Sequence, residues 1–208
     1  MSHTILHIDS SPLGDNSVTR KLTAKTVAQL REANADSTVI TRDLAHSPLP
    51  HLSAQTLASF FTPADQRDEA QQDDVKLSDE AIDELIKADT VVIGSPMWNF
   101  GIPSVLKAWV DHVARAGLTF KYGETGPEGL LSADKKVIIV SARGGLYSEG
   151  PMKAMDFQET YLKSVLEFLG LRDISFVRAE GVAMGPDAAE LALKQADEHL
   201  AQTLNKAA

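Results

Sequence analysis

Apolar residues recur along the chain in two rhythms, short unbroken runs and longer stretches near helical spacing. Ile5, Leu6 and Ile8 form a first run that ends in Asp9-Ser10-Ser11-Pro12-Leu13-Gly14, where Pro and Gly mark a loop. Ser17 then precedes a helical pattern carrying Leu22, Val27 and Leu30, and Ser is a favoured N-cap. A short strand is predicted over 38–41. Thr90-Val91-Val92-Ile93-Gly94-Ser95 is β-branched without polar alternation, as expected of a strand covered on both faces in a parallel sheet. Pro96 stops it, and Pro103 opens a helix whose stripe is Val105, Leu106, Trp109, Val110 and Val113. Further strands are predicted over 137–140 and 174–177.

The remaining stretches are less regular. A helix is predicted over 77–88, with Ser78 as cap and Ala81, Ile82, Leu85 and Ile86 on one face. Others are predicted over 154–169, closed by Gly170, and over 187–204, with 205–208 frayed. Residues 46–77 hold Pro48, Pro50, Pro63 and a polar run from Gln66 to Asp74, with a helix around 53–61. So long a connection suggests a lid or an interface insertion. Residues 117–133 are a Gly-rich excursion with a short strand over 118–122. Strands alternating with helices make five βα units, which predicts one α/β domain over 1–208, a parallel sheet with helices on both faces.

Composition narrows the partners. Of 208 residues 43% are hydrophobic and 24% charged, the balance of a chain with a real core. The net charge of −9 opposes nucleic acid and anionic lipid. With no cysteine there is no disulfide, thiol redox chemistry or Cys-bound metal, so redox work needs a bound cofactor. The start of the chain lacks the basic-then-apolar pattern of a signal peptide. Its apolar runs fall far short of the roughly 18 residues that span a bilayer, so a cytoplasmic protein is expected. The six histidines, His112 among them, show no metal-site spacing, and no metal is expected. No G-x-S-x-G elbow supports a serine hydrolase.

In doubly wound sheets ligands bind beyond the carboxyl ends of the strands. Three loops leave such ends here, at 9–19, 95–102 and 141–147. The first offers Ser11, Ser17 and Thr19 ahead of a helix, a natural phosphate cradle, though taken alone Ser17 as a plain cap with Thr19 solvated is the simpler reading. It lacks G-x-G-x-x-G and G-x-x-x-x-G-K-[ST], so a monophosphate fits better than a dinucleotide or a nucleoside triphosphate. The second, Pro96-Met97-Trp98-Asn99-Phe100-Gly101, suits the edge of a flat heteroaromatic ring, or else core packing. The third, Arg143-Gly144-Gly145, lets the backbone approach a ligand, or else makes a tight turn.

SSPLGDNSVTRKL from Ser10, GSPMWNFGIPSVLKAWVDHVARAGLTFKYGETGPEGL from Gly94 and SARGG from Ser141 resemble the FMN-dependent NADH-azoreductases, within the flavodoxin-like NAD(P)H:quinone oxidoreductases. The similarity runs over nearly the whole chain. It implies a flavodoxin-like three-layer sandwich, its five-stranded parallel sheet in the order 2-1-3-4-5. It also implies a homodimer with one FMN per subunit near the dimer interface, NADH or NADPH as donor, and quinones or azo compounds as acceptors in a ping-pong cycle. The alternative in this fold is an electron carrier without a nicotinamide site. By the resemblance, Ser11 and Ser17-Val18-Thr19 hold the FMN phosphate. Pro96, Met97, Trp98, Asn99 and Phe100 pack along the flavin, and Ala142, Arg143, Gly144 and Gly145 border its rings. The Gly144 and Gly145 amides would stabilise charge on the reduced ring, and Phe60 and Tyr122 would wall the acceptor pocket. No protein acid or base is implied, since the chemistry sits on FMN. The chain departs from the family's usual Tyr at Trp98, Ser at Ala142 and Ser at Thr19.

Overall fold

A computed structural model describes residues 3–205. Its elements run β1 (Thr4–Asp9), α1 (Val18–Ala33), β2 (Thr38–Asp43), α2 (Ala54–Phe61), α3 (Glu69–Lys87), β3 (Thr90–Pro96), α4 (Ser104–Val113), β4 (Phe120–Gly123), β5 (Gly126–Gly129), β6 (Lys136–Arg143), α5 (Glu159–Phe168), β7 (Asp173–Glu180) and α6 (Pro186–Asn205). The main sheet is parallel throughout, in the order β2-β1-β3-β6-β7. Counted along the main sheet alone, that is the expected 2-1-3-4-5.

Successive side chains of a strand point to opposite faces, and the core divides accordingly. Leu6, Ile8, Val91, Ile93, Val137 and Ile139 pack against α3, α4 and α5 through Ile82, Leu85, Leu106, Trp109, Leu162 and Leu166. Ile5, Val92, Ile138, Val140 and Val177 face the other way, onto α1 and α6, through Leu22, Leu30, Ala196 and Leu200. Burying each large aliphatic side chain contributes about 1.5–3 kcal/mol.

Three expectations change. The helix predicted from Leu77 begins eight residues earlier, at Glu69. Asp68 caps it, accepting from Gln71 N at 2.9 Å, while Gln71 Oε1 accepts from Asp68 N at 3.2 Å. This reciprocal capping box stabilises a first turn of polar residues. Ser78 is therefore mid-helix and buried, and its Oγ donates to His112 O at 2.6 Å, tying α3 to α4. Residues 46–77 are thus largely helical, with Ser59 Oγ of α2 donating to Asp74 Oδ2 of α3 at 3.0 Å. The helix expected from 154 starts at Glu159, behind a short 3-10 turn at Pro151–Met155. The excursion after Gly117 is an antiparallel hairpin, β4 with β5. It docks on the end of α5 where two glycines meet back to back. A Cβ on Gly129 would lie 2.2 Å from Gly170 N, and Gly170 itself holds φ 108°. Of the frayed end expected at 205–208, residues beyond Asn205 lie outside the described part.

Candidate functional site

The loops after β1, β3 and β6 meet in one cleft of about 350 Å³. Ser11, Ser17, Val18, Thr19, Pro96, Met97, Trp98, Ala142 and Gly144 line it. Leu13, Asn16, Val182, Ala189 and Leu193 complete the lining. The last three come from beyond β7. Their place follows only once β7 is known to lie beside β6 and α6 beside α1, which no local motif shows.

One end of the cleft is hydroxylic. Ser11, Ser17 and Thr19 are at most 2% exposed. Ser17 Oγ accepts from Arg20 N at 3.2 Å and lies 3.0 Å from Thr19 Oγ1. Ser17 therefore caps α1 and lines the cleft as well. The first main-chain bond into α1 runs from Lys21 N to Ser17 O at 3.3 Å. The amides of Val18 and Thr19 precede it and have no acceptor within the helix. Unsatisfied amides, three hydroxyls and the positive end of a 16-residue helix form an anion cradle. Behind it Arg20 donates from Nε to Ser11 O at 2.9 Å and from both terminal nitrogens to Asp43, at 2.8 and 2.6 Å. Its other carboxylate is Asp9, at 3.6 Å. The Arg20 hydrogen bonds hold the Asp43 carboxyl below its ordinary range, against the effect of burial.

The long wall is the loop after β3. Met97 N donates to Ala142 O at 2.8 Å, which fastens this loop to the end of β6. Trp98 and Gly101 exchange amide-to-carbonyl bonds of 3.0 Å each. The two residues between them, Asn99 and Phe100, both take positive φ. This is the geometry of a type I′ turn, which usually carries Asn-Gly. Trp98 is 45% and Phe100 38% exposed, so core packing does not account for them. Asn99 lines a neighbouring cleft of about 670 Å³, which shares Trp98 as its partition. Phe100 sets its ring edge-on to Tyr147, centroids 6.2 Å apart.

At the third loop Ala142 and Gly144 face the cleft, but the Arg143 side chain does not. Arg143 is fully buried, on the α5 side of the sheet. Its guanidinium meets Asp156 at 3.0 Å, Glu159 at 2.6 Å and Glu180 at 3.1 Å, and its Nε donates to Gln158 Oε1 at 3.0 Å. Strand alternation explains the difference, since Ala142 turns toward α1 and α6 and its neighbour must turn away. Only the Arg143 main chain, between Ala142 and Gly144, stays beside the cleft. Gly144 O and Gly145 O accept from Ala183 N and Gly181 N, at 3.1 and 3.0 Å. Glu180 accepts from Tyr147 N at 2.7 Å, Ser148 N at 2.9 Å and the Ser148 hydroxyl. Burial works to raise the Glu180 pKa, but those bonds and Arg143 hold it below the ordinary value.

Phe60 and Tyr122 lie apart from the cleft of their own chain. Phe60 stands edge-on to His112 at 6.0 Å, with the Arg115 guanidinium 4.3 Å above its ring, in a groove beside α2 and α3. Tyr122, on β4, is 77% exposed and packs edge-on against Phe120. Among the described residues, no group of three or more His, Asp or Glu could hold a metal ion. The donor set fits one singly phosphorylated, flat ligand. Hydroxyls and amides of Ser11 and residues 17–19 share the cleft with Met97, Trp98, Ala142 and Gly144.

Residues 3–204 match the family model described as flavodoxin-like fold. An FMN-dependent NADH:quinone oxidoreductase of Ralstonia nicotianae is 52% identical over 204 residues, 98% of each chain. One from Herminiimonas arsenicoxydans is 50% identical over 200 residues, 96% of this chain and 98% of that one. The crystal structure of azoreductase from Bacillus anthracis superposes with a TM-score of 0.88 at 32% identity, covering 97% of this chain and 98% of that one. An FMN-dependent NADH-azoreductase from Bacillus anthracis, crystallised in complex with FMN, gives 0.85 at 27% identity, covering 96% and 98%. Fold, cleft and similarity agree: the chain belongs to the flavodoxin-like family of FMN-dependent NADH:quinone oxidoreductases.

Proposed function

We propose that this protein is an FMN-dependent oxidoreductase that passes two electrons from NADH or NADPH to quinones and azo compounds. The observation that carries the reading is one cleft that gathers the hydroxyls of Ser11, Ser17 and Thr19 at the start of α1 together with Met97, Trp98, Ala142 and Gly144 from two further strand-end loops. The relatives' names support the same activity. Bound FMN would supply the redox chemistry, accepting a hydride and then giving up two electrons.

The chain's own residues bind and orient. Ser11, Ser17, Thr19 and the Val18 amide would take the phosphate. Pro96, Met97, Trp98, Asn99 and Phe100 would lie along one edge of the ring, with Ala142 and the main chain of Arg143, Gly144 and Gly145 along the other. The Gly144 and Gly145 amides would offer hydrogen bonds to ring heteroatoms that gain negative charge, a preorganised form of stabilisation. Product protons would come from solvent.

The working form is proposed as a cytoplasmic homodimer of single-domain subunits. Trp98, Phe100, Tyr122 and Phe157 are exposed, and apolar surface of this kind marks association sites. Phe60 and Tyr122 would then meet an acceptor only across the dimer contact. Among the described residues no helix is long and apolar enough to cross a membrane.

The test is direct. The purified protein is expected to be yellow, to lose that colour under NADH without oxygen, and to oxidise NADH steadily once a quinone or an azo dye is added. Gel filtration is expected at twice the chain mass. A colourless protein that takes up no added FMN would overturn the reading, while one that holds FMN yet ignores NADH would point to an electron carrier.

A further inference from the structure

Phe100 is held in a left-handed backbone, φ 70°, that a bulky residue disfavours. Such strain persists only where the surroundings over-determine it. Three contacts do so here. The Trp98–Gly101 exchange closes the turn, Phe157 N donates to Phe100 O at 3.1 Å, and the Tyr147 ring meets the Phe100 ring edge-on. Tyr147 is itself fixed from below. Its amide and the neighbouring Ser148 amide both donate to Glu180 Oε1, and the Ser148 hydroxyl donates to Oε2. Arg143, fully buried, holds the same Glu180 oxygen at 3.1 Å. Through Gln158, whose Nε2 donates to Ser95 O at 2.7 Å, the network also reaches the root of the Met97–Phe100 loop.

We infer that Glu180 is a positioning residue for the flavin reaction, acting through Tyr147 to hold Phe100 and the Trp98–Gly101 turn in the shape that meets the ring. The inference rests on the FMN reading. Glu180 touches the loop after β6, and Phe100 belongs to the loop after β3, so Glu180 shapes a wall it does not line. A carboxylate that only stabilised the fold would affect FMN binding equally whatever residue stood at position 100.

The test is a double-mutant cycle on FMN affinity, followed by quenching of flavin fluorescence in titrations of apoprotein, with the visible absorption of bound FMN as a second readout. Glu180→Gln is expected to weaken FMN about tenfold and to alter the shape of its visible band. Phe100→Gly severs the chain, because glycine adopts the left-handed turn unaided and offers Tyr147 no ring. In the Phe100→Gly background, Glu180→Gln is expected to change FMN affinity less than twofold and to leave the band unaltered. Should Glu180→Gln fail to fold, Tyr147→Leu takes its place in the cycle, with the same expectation. An equal loss in both backgrounds overturns the inference, as does unaltered affinity in the single variant. A wild-type protein that binds no FMN overturns instead the functional reading beneath it.

Discussion

Phe100, at φ 70°, directly follows Asn99, at φ 47°, so two adjacent residues other than glycine share a left-handed turn. Asn tolerates this conformation because its short amide bonds locally, whereas Phe has no such compensation. The left-handed state costs roughly 1–2 kcal/mol at such a residue. Phe100→Gly is expected to leave apoprotein more stable than Phe100→Ala by about 1 kcal/mol, because alanine keeps the strain and loses the ring. Urea unfolding of the two apoproteins checks the difference, and alanine proving the more stable would refute it.

Thr19→Val tests the cradle. It removes a hydroxyl 3.0 Å from Ser17 Oγ while leaving the Ser17 cap in place. FMN affinity is expected to fall by about fivefold to tenfold, the equivalent of ~1–1.4 kcal/mol for one hydrogen bond to a charged group. Riboflavin, which lacks the phosphate, should bind both forms alike. Ser17→Ala is expected to lose the same affinity and also ~1 kcal/mol of apoprotein stability through the missing cap. Parallel titrations and thermal melts separate the two effects.

Arg143→Met tests whether the guanidinium serves the cluster beneath the loops. Three carboxylates, Asp156, Glu159 and Glu180, would lose their shared cation in a buried place. Breaking such a set is expected to destabilise the apoprotein by ~3–5 kcal/mol. Denaturant midpoints measured without any flavin give the answer. A near-neutral change would mean that Arg178, 2.8 Å from Glu159, already carries the balance.

His112 gives a pH dependence of known sign. It is buried, its Nε2 lies 2.8 Å from Pro50 O, and the pairing sets Nε2 as the protonated nitrogen of a neutral ring. Burial, helped by Arg115, lowers its pKa, while Pro50 O and Asp111 oppose the shift. Below about pH 6.5 the unfolded chain binds a proton that the folded chain resists. Stability is therefore expected to fall as pH drops from that value toward the lower folded pKa, and to level off beyond it. His112→Gln should flatten this slope, which melts recorded between pH 7.5 and about pH 5 would reveal.

Gly129→Ala tests the seat of the hairpin. The added methyl would fall 2.2 Å from Gly170 N, against main chain that has little room to yield. A loss of ~1–3 kcal/mol is expected, as for other overpacked sites. Limited proteolysis should then cut first near β4 and β5.

Much of this was legible in the chain. Strands β3 and β6 read clearly because burial on both faces leaves no polar position to confuse the run, as at Val91-Val92-Ile93. The cleft-lining hydroxyls and the Trp98 loop stood out only when a long motif was added to local chemistry that by itself also allowed a plain cap and core packing. The start of α3 did not, since a capping box made of Asp68 and Gln71 looks like any polar stretch until the apolar face begins at Val75. Ser78 misled for the same reason, a good capping residue that in fact bonds across to α4. The direction of the Arg143 side chain depends on strand parity and on carboxylates 13 to 37 residues away, and no window along the sequence holds both. The left-handed turn at Asn99-Phe100 was hidden because such turns prefer glycine in the second place, and Phe there gives no turn signal.

Both arginines behind the cleft are already neutralised within the protein, Arg20 by Asp43 and Asp9 and Arg143 by its acidic ring. On the proposed reading a phosphate dianion would bond dipoles instead of full positive charge. Its hold should therefore vary little between dilute buffer and half-molar salt, unlike sites that recruit anions by releasing counterions. On the proposed reading the cleft would recognise the count and direction of donors, so a sulfate monoester of similar shape should compete about as well as its charge deficit allows.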